Sequence, residues 1–163
     1  MPKPLEFDND CFDGVTSTFG IRFAARPEDA VRELTRVCKR GGRIGLLTWC
    51  PGGAVEGLFG VMRPYMPPLS SPAAPPPFEW GRPEGVRARL GNAFDLKFET
   101  GTTTLHLPSG QAGLGLVHCR LWSDQDGSRH SRTWATRGIH ERFHGELGIA
   151  MPREYLVTVG AKR

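Results

Sequence analysis

No stretch of this 163-residue sequence stays apolar for the roughly 20 residues that a membrane-spanning helix needs. Its opening, MPKPLEFDND, also lacks the apolar core of a secretory signal. No helical membrane anchor is expected, and a cytoplasmic protein is. The 4 cysteines, Cys11, Cys38, Cys50 and Cys119, contain no CxxC pair. Neither a zinc site nor a disulfide framework follows from such spacing, so reduced thiols in or beside core segments are expected. A basic block is missing too. The net charge of +4 is spread along the chain, and residues 1–60 carry eight positive and eight negative side chains. Nucleic-acid binding therefore has only the overall charge in its favour.

Two catalytic signatures are absent as well. There is no GxSxG elbow, so hydrolase chemistry has no support. The glycine clusters Gly41-Gly42, Gly52-Gly53 and Gly113-Leu114-Gly115 do not set a GxGxG between a strand and a helix, the arrangement that cradles a nucleotide-like cofactor. His140 and His144 stand four apart, with His130 and Cys119 nearby in sequence; HERFH at 140–144 has the letters of HExxH, but inside poorly patterned sequence such a match is more often incidental. No metal site is assigned.

What is present is concentrated in residues 12–49. Phe12 to Thr18 carries Val15 and Thr16 without a proline and reads as a buried strand ending at Phe19-Gly20. Pro27-Glu28-Asp29 opens a helix, since proline suits the first helical position and acids suit the positive end of the helix dipole. Ala30, Val31, Leu34, Val37 and Cys38 then share one helical face, with Arg32, Glu33, Arg36 and Lys39 on the other. Lys39-Arg40 followed by Gly41-Gly42 predicts the helix end. Ile44 to Trp49 is almost continuously apolar, as in a strand covered on both faces. Together these form one βαβ unit with parallel strands.

Further on, Ala54 to about Met66 reads as a helix with Val55, Leu58, Phe59, Met62 and Met66 on one face. Residues 67–83, PPLSSPAAPPPFEWGRP, are too rich in proline for a helix or internal strand. They predict a stiff loop anchored by Phe78 and Trp80. A short helix is expected over 84–91, one long or broken strand over Phe94–Leu107, and a last strand over Arg153–Lys162. Residues 112–139 show neither helical nor strand periodicity, and pattern returns abruptly at His140-Glu141-Arg142-Phe143, where a helix is expected. Two compensating reading-frame shifts in the gene would produce such a segment.

Four segments, LEFDNDCFDGV at 5–15, STFGIRF at 17–23, PEDAVRELTRVCKRGGRIGLL at 27–47 and REYLVTVGAKR at 153–163, resemble in their order the C-terminal portion of a class I S-adenosylmethionine (SAM) dependent methyltransferase. The similarity is to the ubiquinone/menaquinone-type C-methyltransferases and their small-molecule relatives. It implies an α/β fold: a partial Rossmann-like sheet made of the C-terminal strands, with flanking helices and a Pro-rich loop. A single incomplete domain would span residues 1–163. By the same resemblance, SAM is the cofactor and a small molecule the acceptor. Phe7, Ser17, Thr18 and Phe19 would border the cofactor, and Gly20, Arg22 and Phe23 the acceptor.

No catalytic residue is assigned. The residues themselves leave equal room for Ser17 to Arg26 as a connector whose Phe19 and Phe23 cover the sheet edge, and favour Phe7 as a loop residue packed on the core. Without the glycine-rich half, the chain alone is expected to be inactive or very weak. It would be one half of a split enzyme, or a non-catalytic interaction protein that self-associates or binds a partner through the exposed edge of its first strand.

Overall fold

The computed structural model of the protein describes residues 5–63, 77–108, 142–146 and 148–163. The expectations for Met66, most of the Pro-rich run, residues 112–139 and His140 fall outside them. In chain order the elements are β1 (Phe12–Thr18), α1 (Pro27–Val37), β2 (Cys38–Trp49), α2 (Ala54–Met62), α3 (Pro83–Leu90), β3 (Phe94–Leu107), β4 (His144–Gly145) and β5 (Gly148–Lys162). Short 3-10 turns stand at Ile21–Phe23 and Pro77–Gly81. The sheet runs β1-β2-β5-β3, with β4 added to β5.

Two compact units share the chain. The first contains residues to Pro51, Leu69–Gly101 and Glu154–Arg163. Its β1 and β2 pair in parallel, from Val15 opposite Ile44 to Thr18 opposite Leu47. The expected βαβ unit is therefore present. On its other side β2 pairs with antiparallel β5, from Arg43 opposite Ala161 to Trp49 opposite Tyr155. Ile44, Leu46, Leu156, Phe94, Leu90, Val86 and Trp80 form the core, and α1 lays Ala30, Val31 and Leu34 against it. Each large apolar side chain taken fully out of water contributes roughly 1.5–3 kcal/mol before the entropy of ordering is counted.

Three expectations need correction here. The helix does not run to a glycine cap. It stops at Val37, where the Cys38 N–H closes the last turn on Leu34 and the chain turns extended. Lys39 to Gly42 are then absorbed as an irregularity in β2, because Phe12 pairs with Cys38 and Gly14 already pairs with Arg43. Gly41 takes φ +75° there, a conformation that favours glycine. In the second correction, β1 carries no fully buried residue, since Asp13, Gly14, Thr16 and Thr18 are exposed; it is the terminal strand of the sheet. The third concerns the end of the Pro-rich run. Residues 77–81 form a 3-10 turn, which proline tolerates because its missing N–H falls in the first turn.

The second unit holds Gly52–Pro68 and Thr102–Arg153. Here Leu107, Ile149 and Met151 are buried, with Ala54, Leu58 and Val61 of α2 packed on them. Val55 and Met62 are also buried, as the apolar stripe predicts. His144 sits exposed in β4 and not on a helix; it pairs with Ile149. The last strand begins at Gly148, five residues before its expected start at Arg153.

Candidate functional site

In open α/β sheets, ligands gather at the carboxyl ends of parallel strands. Here that place is where β1 and β2 end side by side. Phe19 donates its N–H to the Leu47 carbonyl at 2.8 Å, so the ladder continues one residue past β1. The chain then turns sharply, with Phe19 at φ +59°, a region that bulky side chains rarely enter. Its ring lies stacked on Trp49, with centroids 4.0 Å apart and planes 16° from parallel. Such an aromatic pair contributes about 0.5–1.5 kcal/mol beyond its buried area, enough to balance much of the backbone strain.

Ser17 fixes the next step, because its Oγ accepts the Ile21 N–H at 2.9 Å and so anchors the 3-10 turn. Ile21 and Arg22 are buried, whereas Phe23 is 61 % exposed. The Arg22 guanidinium lies over two rings, 4.4 Å from the Phe78 centroid and 5.0 Å from that of Phe23. Burial lowers its pKa to about 10, which still leaves it cationic at neutral pH. Phe78 comes from the Pro77–Gly81 turn, which is tied down by the Thr48 hydroxyl donating to the Trp80 carbonyl at 2.6 Å. Only glycine fits at Gly81, where a Cβ would stand 1.9 Å from the Trp49 carbonyl oxygen.

Ser17, Thr18, Phe19, Gly20, Arg22 and Phe23 thus lie together at one end of β1. Phe7 lies at the other. It packs edge-to-face on Phe12 at 5.0 Å, and β1 covers about 20 Å between the two ends at the usual rise of a strand. Trp49 and Phe78 complete the aromatic surroundings of the loop. In the sequence Phe78 reads as a loop anchor and Trp49 as a strand end. The signal that could have brought them in was the position of Trp49 at the carboxyl terminus of an apolar strand.

Among the described residues no group of three His, Cys, Asp or Glu side chains is arranged to hold a metal ion. For SAM the fit is partial. Residues 17–26 hold no acid that could take ribose hydroxyls, and no glycine-rich turn follows β1. The loop offers one aromatic and cationic wall and no phosphate-like or ribose cradle.

Comparison with known proteins agrees with this architecture. Residues 2–46 match the methyltransferase domain family. The YcgJ protein of Bacillus subtilis superposes on 98 % of this chain and 68 % of its own, with TM-score 0.59 and 19 % identity. A SAM-dependent methyltransferase of Thermotoga maritima covers 98 % of this chain and 60 % of its own, with TM-score 0.51 and 16 % identity. The chain has a class I methyltransferase fold. Among sequence relatives, the uncharacterised Rv1403c of Mycobacterium tuberculosis is 37 % identical over 104 residues, which is 63 % of this chain and 38 % of that protein. Demethylmenaquinone methyltransferase of Clavibacter sepedonicus is 52 % identical over 40 residues, 24 % of this chain and 16 % of the enzyme. The methyltransferase-like chain thus spans about two fifths of the length of the first of these relatives. The stacked Phe19–Trp49 pair and Arg22 lie beside the carboxyl ends of the parallel strands β1 and β2.

Proposed function

We propose that the protein is the C-terminal portion of a SAM-dependent methyltransferase acting on a small-molecule acceptor of quinone-like or polyketide-like character. In this reading Ser17, Thr18 and Phe19 edge the cofactor, while Gly20, Arg22 and Phe23 face the acceptor. The observation that carries it is the loop itself, set at the carboxyl end of a parallel strand within the segment that matches the family. Arg22 supplies a cation on the acceptor side. The partial likeness to demethylmenaquinone methyltransferase supports a flat acceptor. Phe7 fits this site poorly, because it is committed to Phe12 at the far end of β1.

SAM brings an activated methyl group; what these residues contribute is placement of the acceptor and exclusion of water. No residue is assigned as a base. Because the glycine cradle and the ribose acid are missing, the 163-residue chain alone binds SAM weakly or not at all. A partner chain carrying a strand-GxGxG-helix half would rebuild the site by pairing with β1.

Calorimetric titration tests both statements. SAM titrated into the chain alone is expected to give no saturable heat in the micromolar range. The same titration after co-expression with the glycine-rich half of a matched relative is expected to show binding. Micromolar binding by the lone chain would overturn the incompleteness of the site, and silence in both would overturn the methyltransferase reading.

A further inference from the structure

The 3-10 turn Ile21–Phe23 is shaped by its own backbone. Phe23 donates its N–H to the Gly20 carbonyl at 3.0 Å, and Ala24 donates its N–H to the Ile21 carbonyl at 3.1 Å. These bonds close the turn but leave the direction of its side chains open. Arg22 has many rotamers, and what selects one of them is its surroundings.

Those surroundings come from a turn far along the chain. The Pro77–Gly81 turn is fixed to β2 twice over: the Thr48 hydroxyl donates to the Trp80 carbonyl, and Gly81 approaches the Trp49 carbonyl so closely that a Cβ would not fit. Trp80 itself is buried in the core. A turn held in this way has little freedom, so the Phe78 ring that it carries is a fixed surface. The Arg22 guanidinium lies over that ring, and it lies over Phe23 as well. Phe78 and Arg22 are buried, whereas Phe23 is exposed. The series thus starts on a rigid turn and ends on the exposed ring of the site loop. An aliphatic side chain could fill the place of Phe78, but only a ring face carries the negative potential that attracts a guanidinium.

We infer that Phe78 is a positioning residue of the candidate site: through the Arg22 guanidinium it sets the ring of Phe23, on which a flat aromatic acceptor stacks. Its role rests on the reading of Gly20, Arg22 and Phe23 as the acceptor side, and it brings a residue from outside the loop into that side. Phe78 does not touch the acceptor. Binding groups must be held to within about 0.5 Å of their productive place, and a loop reaches that precision only when its rotamers are locked from behind.

The test titrates 2-naphthol, a flat phenol, into the full chain and follows the amide resonances of Gly20 and Phe23 together with the Nε–H resonance of Arg22. Saturable shifts are expected in the wild type, with the Arg22 Nε–H moved upfield by the two rings. A trifluorinated phenylalanine in place of Phe78 keeps the shape of the ring and drains the negative potential from its face. It should weaken probe binding by about threefold or more and return the Arg22 Nε–H toward its free position. Phe78→Leu should act in the same direction, while Phe78→Tyr, which keeps the ring face, should bind within about twofold of the wild type. In an Arg22→Met background the fluorinated ring should change nothing further, because Phe78 acts through Arg22. A wild type without saturable shifts overturns the acceptor reading and the role of Phe78 with it. Binding that the fluorinated ring leaves unchanged, in a chain that circular dichroism shows folded, overturns the role of Phe78 alone. So does an equal loss with and without Arg22, which would mark Phe78 as packing only. Should Phe78→Leu fail to fold, the fluorinated ring still decides.

Discussion

The two flanks of β1 are held by different physics. The carboxyl flank is held by packing: Ile21 is buried, Phe19 is stacked on Trp49, and Arg22 lies over Phe23 and Phe78. The amino flank is held by polar groups at the surface. Arg36 of α1 donates to the Leu5 carbonyl at 3.2 Å, the Phe7 carbonyl at 2.7 Å and the Asn9 side chain at 3.0 Å, while Glu33 accepts the Leu5 N–H at 2.9 Å. Lys39 pairs with Asp13 at 2.9 Å, and Lys162 with Asp10 at 2.8 Å. Packing excludes water and gives stability that salt does not touch; exposed ion pairs fix direction at little energetic gain. The difference suits the roles proposed. A site loop must keep its shape, whereas a flank that meets a partner needs only to present its groups.

The sharpest way to break the comparison is at Trp80, 2 % exposed beneath the carboxyl flank. Trp80→Ala should cost about 3–5 kcal/mol in urea unfolding, since a large cavity opens against Ile21 and Leu46. A loss under 1 kcal/mol would mean that packing does not hold this side. Next in size is Lys162 at the amino flank, with its side chain 13 % exposed. It donates to Asp10, to the Thr35 carbonyl at 2.7 Å and to the Cys38 carbonyl at 2.6 Å. Lys162→Met should cost about 1–3 kcal/mol by the same measurement, because two inward carbonyls lose their donor.

Two buried threonines sharpen the point further. Thr48 satisfies its hydroxyl on Trp80, but the Thr158 hydroxyl has no hydrogen-bond partner among the described residues. Valine at each position keeps the shape and removes the hydroxyl. Thr48→Val should therefore destabilise by about 1–2 kcal/mol and Thr158→Val should stabilise by about 1 kcal/mol. Equal and same-signed shifts in thermal midpoint would contradict the hydrogen-bond assignment.

The same contrast explains what could be read in the sequence. Phe12–Thr18, the start of α1 at Pro27, and Phe94–Leu107 lie where expected, because periodicity and Pro and acid placement are local signals. The helix end is not legible in the sequence, because Gly41-Gly42 is an equally good signature for a cap and for a strand irregularity. The choice between them depends on Gly14 pairing with Arg43, a contact distant in sequence. The site was legible as a loop, from Ser17 to Phe23, but not as an arrangement. Phe78 over Arg22 and Trp49 against Phe19 join residues that no local pattern connects. Phe7 went with the cofactor set through resemblance alone, and the edge-to-face contact with Phe12 now sets it apart from that loop.

The smallest expected effect is confined to the amino flank and to acid. Bonds from Arg36 and the Leu5 N–H hold the Glu33 carboxyl down at about 2, well under its ordinary 4.5. A depressed carboxyl pKa means that its contribution is complete above pH 4.5 and is lost as pH falls through about 2. The pair is at the surface, so global stability should barely move, and the readout must be local. Protection of the Leu5 amide against hydrogen exchange, corrected for the intrinsic rate, should hold from neutral pH to near pH 4 and collapse toward pH 2. Glu33→Gln should remove most of that protection at every pH, because the amide accepts more weakly than the carboxylate and no longer attracts Arg36. Unchanged Leu5 exchange in the variant would show that the segment before β1 is positioned by Phe7 on Phe12 and not by the Glu33–Arg36 pair. Packing would then govern both flanks, and the contrast between them would disappear.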